Sequence, residues 1–85
     1  IAVREGAVAP RQVWSDTPRL VLTGREELLI EQHTGLFSYE TACVRIRTPI
    51  GLCTVTGKDL VIQYFGAEDL LIRGRIDTVA VSGEE

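Results

Sequence analysis

The sequence predicts an all-β protein, a small sandwich, roll or β-helix-like stack of about eight short strands joined by glycine turns. Three observations predict it. An aliphatic residue, a spacer, a glycine and a charged residue recur as Leu22-Thr23-Gly24-Arg25, Val55-Thr56-Gly57-Lys58 and Ile72-Arg73-Gly74-Arg75. Each copy lies between two runs of strand-forming residues. Those runs follow one another at an even spacing of roughly eight to eleven residues, the spacing of an antiparallel β-domain.

The first element is an arm. Residues 1–18 hold two of the three prolines and several small residues, and Ala7-Val8-Ala9-Pro10 reads as extended chain. No methionine stands at position 1, so the chain reads as beginning after a missing initiator. Asp16-Thr17-Pro18 is a turn that opens onto the first clear strand, Leu20-Val21-Leu22. Residues 19–82 form the β-domain and 83–85 an acidic tail. Glu27 to Glu31 follows Gly24-Arg25. A helix there would be one short turn-bounded run between glycines, so a strand is the better reading.

His33-Thr34-Gly35 turns the chain into Leu36-Phe37-Ser38-Tyr39. Val44-Arg45-Ile46-Arg47 alternates apolar and charged residues, the pattern of a half-buried strand. Thr48-Pro49-Ile50-Gly51 is a proline-centred turn. Leu52 to Val55 and Leu60 to Tyr64 flank Gly57-Lys58-Asp59, which reads as a hairpin. In the second run Leu60, Ile62 and Tyr64 share one face, and Val61, Gln63 and Phe65 the other. Leu70-Leu71-Ile72, then Ile76 to Val81, complete the set.

Gly24, Gly35, Gly57 and Gly74 are read as turn positions, where glycine reaches positive φ without steric cost. A phosphate-cradling loop needs clustered glycines before a helix, and neither condition is met. The recurring phrase spaces its glycines by 33 and then 17 residues, so no fixed solenoid period is kept.

Among 85 residues the hydrophobic share is 45% and the net charge -3, an acidic balance that argues against a nucleic-acid role. No run approaches the roughly 20 apolar residues of a membrane-spanning helix. Cys43 and Cys53 read as buried, reduced small hydrophobes, with a cross-strand disulfide as the alternative. One histidine and no Cys-x-x-Cys spacing leave no metal site, and no cofactor motif is present. His33 reads as a turn residue, hydrogen-bonded locally or solvated. As a general base it would need a nucleophile and an orienting carboxylate. No catalytic residue is assigned, and a non-enzymatic role is expected. Trp14 reads as an anchor for the arm or for a partner. The first and last strands are the expected sheet edges and contribute Leu20, Leu22, Val79 and Val81, which with Trp14 make up the candidate interface.

Read in order, Asp16-Thr17-Pro18-Arg19-Leu20, Leu22-x-Gly24 and Ile30-Glu31-Gln32-His33-Thr34-Gly35 resemble the YabP/YqfC family of sporulation proteins. Val55-x-Gly57 and Glu68-Asp69-Leu70-Leu71-Ile72-Arg73-Gly74-Arg75-Ile76 fit the same pattern, closest to the YqfC branch. The first 15 residues carry none of it. The resemblance implies a protein of the mother-cell cytoplasm in a sporulating bacterium, or of the forespore surface, with a part in building the spore envelope. A homo-oligomer, closed or filamentous, is the expected assembly state, with other sporulation proteins as further partners. The alternative is an adaptor that binds a membrane-associated sporulation protein through its N-terminal arm.

Overall fold

In the computed structural model, which describes residues 17–83, the chain forms one antiparallel sheet of six strands. The strands are β1 (Arg19–Thr23), β2 (Glu27–Glu31), β3 (Gly35–Glu40), β4 (Cys43–Thr48), β5 (Gly51–Phe65) and β6 (Asp69–Ser82). Their order across the sheet is β1-β2-β6-β5-β4-β3. Residues 1–16, and with them most of the predicted arm, lie outside the described residues, as do residues 84–85 of the tail.

Among the described residues six strands stand in place of the eight expected, because two predicted turns are not turns. Leu52–Val55 and Leu60–Tyr64 belong to one 15-residue strand, β5, with Gly57 inside it. Leu70–Ile72 and Ile76–Val81 belong to one 14-residue strand, β6, with Gly74 inside it. Pairing between β5 and β6 runs from Leu52↔Ser82 to Phe65↔Leu70, with register shifts at Thr56/Gly57, Lys58/Val61 and Ile62/Tyr64. Each shift is a β-bulge, which bends the strand and raises its twist without reversing it.

The sheet is not flat, as its topology shows. β2 and β3 stand second and sixth in the sheet order, four strand spacings apart, or about 19 Å in a flat sheet. Only Gln32, His33 and Thr34 link them, and the four Cα–Cα steps from Glu31 to Gly35 reach at most about 14 Å. The sheet therefore curls until these two strands come within reach. Its inner face then encloses one core of Leu28, Ile30, Val44, Ile46, Cys53, Val55, Leu60, Leu70, Ile72 and Ile76. Leu20, Leu36, Ile62 and Val79 pack against its margin.

The bulges also decide which side chains face that core. Before the bend, Cys53 and Val55 point inward; after it, Leu60 does. The shift from odd to even positions is what one extra residue in a strand produces. A second extra residue at Gln63 puts Phe65 opposite core Leu70 and Tyr64 opposite Leu71. Tyr64 and Phe65 thus exchange the faces that strict alternation assigns them.

Candidate interaction edges

The predicted turn glycines fall into two kinds. Gly24 lies in the β1–β2 turn at φ +58, and Gly35 is the first residue of β3, at φ +136, after the His33-Thr34 link. Gly57 and Gly74 instead sit where β5 and β6 bend across each other. A Cβ on Gly57 would lie 1.8 Å from the Arg75 carbonyl oxygen, and one on Gly74 would lie 2.5 Å from that of Asp59. The requirement is close backbone approach, not chain reversal.

The two bends are held by the two short hairpin turns. The Gly57 N–H donates to Ala42 O at 3.0 Å and the Leu60 N–H to Thr41 O at 2.9 Å, both in the β3–β4 turn. The Gly74 N–H donates to Glu26 O at 3.1 Å and the Ile76 N–H to Arg25 O at 2.7 Å, both in the β1–β2 turn. Backbone groups that the bulges remove from the ladder therefore still find partners, as backbone groups held inside a fold require.

His33 is buried, with 6% exposure. Its Nδ1 accepts from the Gly35 N–H at 3.0 Å, so Nε2 carries the proton and donates to Gly66 O at 2.9 Å. The ring stacks on Phe65 at 5.3 Å. The backbone follows suit, with His33 N–H donating to Glu68 O at 3.0 Å and Thr34 N–H to Arg47 O at 2.8 Å. His33 thus ties the β2–β3 link to the β5–β6 turn. The local bond fits the sequence reading, and the long-range bond and the burial go beyond it. Two surface depressions are lined by Thr34, Arg47, Thr48, Gly51 and Leu52, and by Arg25, Glu26, Gly74 and Arg75. Neither lining joins a nucleophile to a base.

Cys43 and Cys53 are both free. Cys43 pairs with Thr56 and Cys53 with Ile46, so the two never stand opposite one another. Cys53 is fully buried, and burial pushes its thiol up to about 11. Among the described residues no three His, Cys, Asp or Glu side chains gather where they could hold a metal ion. No helix among those residues is long and apolar enough to cross a membrane.

What remains for interaction is the edges. Among the described residues β1 is an outer strand, and it carries Leu20, half-buried, and Leu22, 50% exposed. The other outer strand is β3, not the last strand. β6 lies between β2 and β5, because β2 pairs with Asp69–Arg73. Its C-terminal half, with Val79 and Val81, pairs only with β5 among the described residues, so one side of that half is open. Trp14 lies outside the described residues.

The three edges are not equally accessible. A register shift between Leu36 and Ser38 interrupts β3, and Arg47 covers Phe37 with its guanidinium 4.8 Å from the ring centre. The open side of β6 begins at the bulged Asp77, which faces Arg25 at 3.9 Å. Bulges and charges are the usual protection of sheet edges. β1 has no bulge, and its single charge, Arg19, stands at its start, paired with Glu31 at 3.2 Å; its five residues pair with β2 in unbroken register, from Arg19↔Glu31 to Thr23↔Glu27.

Geometry and topology define a small curled antiparallel β-domain with a buried core and an outer strand, β1, that no other described strand covers. The model of the YabP family matches residues 15–85, and the chain belongs to that family. It is 37% identical over 70 residues to the uncharacterized protein YqfC of Bacillus subtilis (strain 168), covering 82% of this chain and 75% of that one.

Proposed function

We propose that this is a non-enzymatic sporulation protein that associates with itself as a structural or assembly factor in spore envelope formation. It acts in the mother cell of a sporulating bacterium. Membership of the YabP family supports the setting, together with the ordered resemblance from Asp16 to Val81. The observation that carries the self-association is the outer strand β1, which among the described residues pairs on one side alone, with β2. Its backbone groups on the other side, without a partner among the described residues, and its half-exposed Leu22 offer a template to another strand.

Light scattering on the full chain over a wide concentration range tests the reading. Mass that rises with concentration is expected. A strict monomer at the highest concentration reached would sink it.

A further inference from the structure

We propose that the partner of β1 is β1 of a second copy, paired antiparallel about a twofold axis through Val21, giving a closed dimer rather than a filament. The proposal rests on the self-association reading and adds its surface, its register and its symmetry.

Residues facing each other across an antiparallel pair lie on the same face of the sheet, so a twofold through Val21 sets Leu20 opposite Leu22 and Arg19 opposite Thr23. All five residues of β1 then find partners, and no like charges meet. Moving the axis to Leu20 drops residues from the pair, and moving it to Leu22 brings Arg19 opposite Arg25. The Val21 register is therefore the one that both the apolar pattern and the charges accept.

The rows on either side of the sheet support the same register. On the inner face Leu22 ends a row that runs through Leu28, Ile72 and Ile62, and it is 50% exposed there. Leu20 of the second copy would cover it. On the outer face Val21, Leu29, Leu71 and Tyr64 form an apolar row, each the cross-strand partner of the next. Pairing at Val21 joins two such rows into one.

The symmetry follows from the other edges. A filament needs a heterologous contact, β1 on a different edge of the next copy. The bulge in β3 and the Arg25–Asp77 pair beside β6 obstruct those edges, while β1 on β1 is isologous and closes. One five-residue edge pair is smaller than the roughly 1,200 Å² of a standard stable interface, so the dimer is expected to be reversible.

The test is cysteine cross-linking in the full chain with Cys43→Ser. Facing Cα atoms in an antiparallel pair are about 4.5 to 5.5 Å apart, within disulfide reach. Val21→Cys should therefore give a disulfide-linked dimer on mild oxidation, more of it at higher protein concentration. Thr23→Cys alone should not link to itself, but should link when mixed with Arg19→Cys. Ala80→Cys, on the open half of β6, reports the rival edge. Cross-linking at Ala80 and not at Val21 overturns the β1 proposal. So does a Val21→Cys chain that stays unlinked while light scattering still shows oligomers; in both cases self-association stands. A chain that neither links nor associates overturns both readings.

Discussion

At His33 both ring nitrogens are already engaged, by a backbone N–H on one side and a backbone carbonyl on the other. His33→Ala would leave the Gly35 N–H and the Gly66 carbonyl without those partners and would remove the ring stacked on Phe65. A loss of about 2 to 4 kcal/mol is expected, since each orphaned buried group costs on the order of 1 to 3 kcal/mol. Urea denaturation would show it as a lower midpoint at unchanged slope, and a loss under about 0.5 kcal/mol would contradict the tie between the two turns. The cysteines make a second residue-level case. Half-buried Cys43 should react with a thiol reagent in the native protein, and Cys53 only after unfolding. The unfolded thiol ionises near 9.0, while native Cys53 holds its proton until about 11. The native state therefore binds more protons in that window, so this contribution is complete below pH 9 and is lost as pH rises through about 11. Cys53→Ala should flatten the alkaline slope of stability; an unchanged slope would show that Cys53 does not set it. The sequence marks His33 as a turn residue because its neighbours Thr34 and Gly35 are legible. Gly66 lies 33 residues away, and only the sheet pairing brings it to the ring.

At the scale of elements, β1 to β4 are legible because each is a short apolar run closed by turn residues, and Val44 and Ile46 alternate with Arg45 and Arg47 as a half-buried strand should. β5 and β6 are misread for one reason. Gly57-Lys58-Asp59 has the composition of a hairpin, but glycine serves a close backbone crossing as well as a turn. Local sequence does not separate the two uses; the pairing partner does. The same long-range pairing makes β6 an interior strand, although it comes last in the chain. Substitution separates the two kinds of glycine. Gly24→Ala meets no atom within 4 Å and carries only the strain of φ +58, a cost of about 1 kcal/mol. Gly57→Ala drives its Cβ into the Arg75 carbonyl and must part the two long strands, for about 3 kcal/mol or more. Thermal melts of the two variants should differ accordingly, and equal losses would return Gly57 to an ordinary turn position.

At the scale of the whole molecule, one curled sheet has to enclose its own core. A domain of this size buries only about 60% of the surface its unfolded chain exposes, so stability is thin and association adds to it. Anything that binds the native state alone raises its apparent stability by mass action. A β1–β1 dimer therefore implies a melting temperature that rises with protein concentration. Val21→Lys sets two like charges opposite each other on the twofold, on the outer face where a single lysine stays solvated. In this variant the concentration dependence should vanish. At low concentration, where the chain is monomeric, its melting temperature should stay close to that of the parent, because Val21 lies outside the core cluster. Differential scanning calorimetry at several concentrations measures both quantities. A variant that melts early at every concentration would place Val21 in the fold rather than in the contact. One that keeps the full concentration dependence would move the contact off β1.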